Sequence, residues 1–198
     1  IFFIYIFVLF YSFTKNINII EKGGRDYRII LPAKAEMSEL KAASLVQRYI
    51  ESATGVKLPI MRDREPGSEY EICLGYTNRR NVASNKSSKE PEKDGYRIMS
   101  QDEKLFIYGG APEGTLNGVT SFLEDYLGVR VYSSSVTQTP KKNKFRIPSN
   151  IDRAYNPPIK FRTTHYRDSW ATAYSDWHKL HHNKDGSHPD WGYWVHTF

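Results

Sequence analysis

The residues with chemical potential are crowded at one end of the chain. All 4 tryptophans and all 6 histidines lie between His165 and His196 of the 198 residues. His165, Arg167 and Asp168 stand almost side by side, and Trp191, Trp194 and His196 follow. Aromatic faces stack on the C–H groups of sugar rings, while Arg and His hydrogen-bond hydroxyls or a uronic carboxylate. These six side chains form the candidate substrate-binding set, with an oligosaccharide or polysaccharide as partner. A metal reading competes for His178, His181 and His182. On a helix His178 and His182 would share a face, but no Glu follows His178 and the adjacent His181 and His182 cannot both point the same way. No metal and no cofactor is expected. Asp168 alone makes no glycosidase centre, which needs two carboxylates about 5–9.5 Å apart. Arg162 and Arg167 beside it make an ion pair its expected state, so no catalytic residue is named.

The stretch that has to organise these residues lies upstream, over 94–132. Tyr96 and Ile98 alternate with Arg97 and Met99 before Gln101-Asp102-Glu103 turns the chain. Leu105 to Tyr108 is a short apolar run closed by Gly109-Gly110, the pattern of a strand buried on both faces. Leu116, Val119, Phe122, Leu123, Tyr126 and Leu127 then recur along one helical face, with Gly128 as the stop. Val129 to Tyr132 resumes as a strand. The turn Gly109-Gly110-Ala111-Pro112-Glu113-Gly114 joins strand to helix as a phosphate cradle does. It lacks the Lys-Ser/Thr of a P-loop and the third-glycine spacing of a dinucleotide fingerprint, so close helix–sheet packing explains the glycines better.

This stretch resembles the signature of the small α/β domain that precedes the catalytic barrel in bacterial alpha-glucuronidases, and a similar domain occurs in beta-hexosaminidases and in a related uncharacterised secreted family. Gly95, Tyr96, Gly109, Gly110, Gly114, Gly118, Leu127, Gly128 and Tyr132 carry the likeness, which extends over residues 25–198. It implies a small α/β domain over 25–150, built as one mixed sheet with two helices on one face. A truncated start of a (β/α)₈ barrel would follow over 157–198. Residues 159–164 would be the first barrel strand, leaving His165, Arg167 and Asp168 at its active-site end. The tail with Trp191-Gly192 and Val195-His196-Thr197 would be the second. The implied function is that of an accessory domain of a secreted glycoside hydrolase acting on xylan-type polysaccharide, with its acids on later strands. The fragment alone would be inactive. A non-catalytic carbohydrate-binding protein of the same fold, or a beta-hexosaminidase-like enzyme, stays open.

The remaining sequence supplies the frame. Residues 26–31 read as a strand closed by Pro32. Ser38 caps a helix over 39–54 that ends at Gly55, with Ala42, Leu45, Val46, Tyr49, Ile50 and Ala53 along one stripe. Strands follow near residue 60 and over 70–74, then a long polar connection over 78–94. Residues 144–148 are a possible last strand. The single cysteine, Cys73, excludes an internal disulfide framework and reads as a small buried apolar residue. The net charge of +6 is modest, and the basic run at 141–146 suits a solvated loop, so no nucleic-acid partner is expected. Residues 1–13 are almost wholly apolar, too short for a stable membrane span but matched to the h-region of an export signal. Residues 1–20 are therefore set aside as a signal remnant, and the protein is expected to be secreted or periplasmic.

Overall fold

The computed structural model describes residues 15–21, 27–80, 90–164 and 166–181. Its strands and helices run β1 (Asn16–Ile20), β2 (Arg28–Leu31), α1 (Met37–Thr54), β3 (Ile60–Arg62), β4 (Glu71–Leu74), β5 (Tyr96–Gln101), β6 (Lys104–Gly109), α2 (Pro112–Phe122), β7 (Arg130–Val131), β8 (Thr137–Gln138), β9 (Phe145–Pro148), β10 (Asp152–Tyr155) and α3 (Thr172–Trp177). The fold is α/β. A six-stranded mixed sheet has the order β10-β5-β6-β4-β2-β3; β3, β2, β4 and β6 are parallel, while β5 and β10 run antiparallel to their neighbours.

Helices α1 and α2 cover the same face of this sheet. Ile29, Leu31, Ile72, Leu74, Ile98, Leu105 and Ile107 point into the core they share with Ala42, Val46, Ile50, Leu116, Val119 and Phe122. Strand alternation sends Ile30, Cys73, Phe106 and Tyr108 to the other face, where Met61 and Met99 pack on them. Burial pushes the Cys73 thiol up to about 12, so it is protonated and behaves as the apolar residue expected. Next to this second cluster, Glu71 is fully buried, yet it accepts from Arg28, Arg79, Lys104 and the Ser68 N–H. A buried carboxylate is tolerable only when its lone pairs are met in this way.

Helix α1 starts earlier than its sequence suggests. Glu36, not Ser38, is the N-cap, because Glu39 reaches back to the Glu36 N–H at 2.9 Å and closes a capping box. Its end is as expected, with Gly55 at φ 80° returning its N–H to the Glu51 carbonyl. Helix α2 does not run unbroken to 127. Leu123–Leu127 widens into a π turn in which the Gly128 N–H bonds the Leu123 carbonyl at 2.9 Å, and Leu123 and Leu127 are both buried.

The glycines of the strand–helix turn are sites of close approach. A Cβ on Gly110 would lie 2.2 Å from the Glu92 carbonyl oxygen, one on Gly114 2.3 Å from that of Gly95, and one on Gly118 2.7 Å from the Ile107 side chain. The space above the turn is filled by backbone from residues 91–95. The turn packs the helix against the sheet, and its glycine amides do not form an open cradle.

The sheet arrangement differs from the expected one in four places. Asn16–Ile20, set aside with the apolar leader, is a strand paired antiparallel with β9, and Ile17 and Ile19 are buried in the helical core. Residues 129–132 do not join the main sheet, since β7 pairs only with β8. The sheet extends past residue 150 through β10 on the edge of β5. Residues 159–164, expected as a strand, form none. Pro157-Pro158, just ahead of them, offer no N–H to a ladder.

Candidate functional site

Residues 157–164 and 166–181 lie against the α/β layer as a strap. Its neck is closed by two bonds between Arg162 and His181: the His181 N–H donates to the Arg162 carbonyl at 2.7 Å, and the Arg162 N–H donates to His181 Nδ1 at 3.0 Å. With Nδ1 accepting, the imidazole proton sits on Nε2 and is donated to Asp94 Oδ2 at 2.8 Å. The Arg162 guanidinium reaches the same Oδ2 at 2.9 Å. Burial alone would raise the Asp94 carboxyl, but the bonds from His181 and Arg162 outweigh it and hold the group below its usual range. Phe161 stacks on the His181 ring at 5.5 Å.

Beyond the neck, the strap continues through the exposed 3₁₀ turn Arg167–Trp170 into α3. Trp177 is buried and meets Tyr49 of α1 edge-on at 5.4 Å, with the Lys41–Asp176 ion pair beside it at 2.9 Å. His178 Nε2 lies 3.1 Å from the Val131 carbonyl of β7, to which it donates. A single aromatic anchor and several polar ties thus seat the strap on α1 and on the β7–β8 hairpin.

Of the expected substrate-binding residues, Arg167 and Asp168 lie among the described ones. Arg167 and Asp168 occupy the first turn of the 3₁₀ element. Asp168 is not paired with Arg162, which belongs to Asp94. Asp168 instead accepts the Ser134 N–H at 2.9 Å and the Ser134 hydroxyl, which hold its carboxyl below the usual carboxylate range. His165, Trp191, Trp194 and His196 lie outside the described residues, as do His182 and the expected second barrel strand. His178 and His181 are committed to Val131 and Asp94, and among the described residues no cluster of three metal-ligating side chains occurs. Asp94 and Ser134, the two residues that fix the strap, were not among the expected site residues. They lie 87 and 34 positions from His181 and Asp168, and no local pattern marks such pairings.

The neck leads to a direct test. Asp94→Asn keeps one acceptor oxygen but removes the charge, and a hydrogen bond to a charged group contributes about 1.5–3 kcal/mol. Amide exchange at Arg162 and His181 is expected to speed up about tenfold or more, with the β5 and β6 amides unchanged. Because Asp94 titrates lower in the folded chain than in the unfolded one, its contribution is complete above its unfolded pKa and is lost as pH falls through the lower folded value. The Asp94 contribution should therefore survive mild acid.

No protein-family model and no curated protein matches the sequence. Among solved structures, the chain is similar to the GH20 beta-N-acetylhexosaminidase of Streptomyces coelicolor A3(2), with 14% identity over 74% of this chain and 24% of that one, at a TM-score of 0.49. A GH115 4-O-methyl-alpha-glucuronidase with specificity for decorated arabinogalactans gives 16% identity over 69% and 18%, at 0.48. The Flavobacterium johnsoniae chitobiase gives 15% over 75% and 19%, at 0.47. The chain spans less than a quarter of the length of each of these proteins. Among the described residues, no helix is long and apolar enough to cross a membrane.

Proposed function

We propose that this chain is the accessory N-terminal α/β domain of a secreted glycoside hydrolase similar to alpha-glucuronidases, acting in the breakdown of xylan-type polysaccharide. The observation that carries the reading is the motif over 94–132. Its glycines at 110, 114 and 118 sit where backbone or side chains leave no room for a Cβ, so the motif records one particular way of packing a helix on a sheet. The role of the domain is to seat the chain that follows it, through Asp94 at the neck and Tyr49 at the strap's anchor. General acid–base chemistry with two carboxylates would be supplied from outside residues 1–198. His165, Arg167, Asp168, Trp191, Trp194 and His196 remain the residues proposed for sugar contact.

The test compares the 198-residue chain with the same chain extended by whatever sequence follows it. Aryl-glucuronide and aryl-N-acetylglucosaminide should be untouched by the short chain, and one of them should be turned over by the long one. Turnover by the short chain would overturn the accessory role. Tight sugar binding without turnover by the long chain would replace hydrolysis with the non-catalytic, carbohydrate-binding alternative.

A further inference from the structure

We propose that the surface shared by the 3₁₀ turn, α3 and the β7–β8 hairpin binds a neutral sugar ring, with Tyr166 and Tyr174 as stacking faces and Asp168 and His178 as hydrogen-bond acceptors. The proposal rests on the carbohydrate reading above and gives it a ligand class and a place.

The side chains in question are exposed yet held. Tyr166 is 61% exposed, and its hydroxyl donates to Asp168, whose charge in turn raises the Tyr166 phenol. Asp168 Oδ1 already takes the Ser134 N–H and hydroxyl, so the carboxylate is clamped between the 3₁₀ turn and the hairpin. Half-buried Tyr174 meets the His178 imidazole with centroids 4.2 Å apart, an i, i+4 pair along α3 and its cap. His178 spends its Nε2 proton on the Val131 carbonyl, which leaves Nδ1 of the neutral ring as an acceptor. Each group is fixed by the protein before any ligand arrives, so little ordering cost remains on binding.

The chemistry of this set selects its ligand. It offers two phenol faces and, at their rim, the carboxylate of Asp168 and Nδ1 of His178, both of which accept hydrogen bonds. A complementary molecule presents a C–H face and donates hydrogen bonds from its edge, as the hydroxyls of a sugar ring do. A ring carboxylate only accepts hydrogen bonds, so it finds no donor in Asp168 or in His178 Nδ1, and its charge meets that of Asp168 with Arg167 beside it. The acceptor pair matches the hydroxyls of a neutral sugar, whereas Arg167 in the same turn is the one group there that would take a uronic carboxylate.

The experiment is a ligand-observed NMR titration of the 198-residue chain with xylohexaose, cellohexaose, mannohexaose and N-acetylchitohexaose, and with an oligogalacturonide of equal length. At least one neutral hexasaccharide should bind saturably in the millimolar range or better, and the oligogalacturonide at least fivefold more weakly. Tyr166→Ala, at an exposed position, should weaken that binding about tenfold with the melting temperature unchanged, and Asp168→Asn should weaken it as much. Tyr174→Phe should leave it intact. No saturable binding by any neutral probe, or binding indifferent to Tyr166→Ala, would overturn the proposal. So would a dimer in sedimentation that Tyr166→Ala dissolves, since a second copy would then be the occupant. None of these outcomes depends on hydrolysis by a longer chain, so the two readings stand or fall separately.

Discussion

Replacing Gly109 by Ala is expected to destabilise the chain by about 3 kcal/mol or more, the upper end for overpacking a rigid interior. The added Cβ would lie 2.2 Å and 2.4 Å from the backbone carbonyl carbon and Cα of Gly114, and 2.4 Å from the Thr115 amide nitrogen. These atoms are backbone in the first turn of α2, so no rotamer change relieves the overlap. The Gly109 N–H also donates to the Thr115 hydroxyl at 3.1 Å, a bond that would be lost as the helix moved away. Urea unfolding followed by circular dichroism checks this directly. A loss below 1 kcal/mol would show that the junction between β6 and α2 is looser than its packing indicates.

Phe122→Ala should cost about 3–5 kcal/mol, as for other large-to-small changes at buried aromatics. Phe122 has no exposed surface and stands where α2 passes into the π turn. Its ring meets Tyr126 at 5.4 Å and Phe145 of β9 at 6.0 Å, so it ties the helix to the β1–β9 ribbon. The cavity would open between α2 and the β1–β9 ribbon. Chemical denaturation is again the measurement, and Phe122→Leu should recover more than half of the loss.

The elements that sequence made legible are those whose pattern is local. The stripes of α1 and α2, the apolar run of β6, and the stops at Gly55 and Gly128 each depend on residues within a few positions of one another. What escaped depends on partners far along the chain. In β1, Ile17 and Ile19 do alternate with Asn16 and Asn18, but the strand abuts an apolar leader that draws the eye to export. Strand β10, Asp-Arg-Ala-Tyr, is exposed along its whole length and so carries no apolar alternation. Residues 159–164 show the opposite failure: Ile159 and Phe161 alternate with Lys160 and Arg162 as a strand would, yet they pair with none of the described strands. For the candidate site, Arg167 and Asp168 could be named from residue type alone. The clamp by Ser134 and the Asp94 neck could not, because each is created by the way the strap is laid over the folded layer.

The pairing of β1 with β9 has a consequence for the order in which the chain can assemble. Ile20 finds Phe145 roughly 125 residues downstream, so the contact closes a loop spanning most of the domain and its entropy cost is met late. At about 5–20 residues per second, a ribosome takes about 6–25 seconds to make the intervening chain. During that interval Ile17 and Ile19, which end as fully buried side chains, have no ladder to join. Strand β1, made before the other described strands, is thus among the last of them to be seated, and a nascent chain stalled before Phe145 would present those isoleucines to whatever hydrophobic surface meets them.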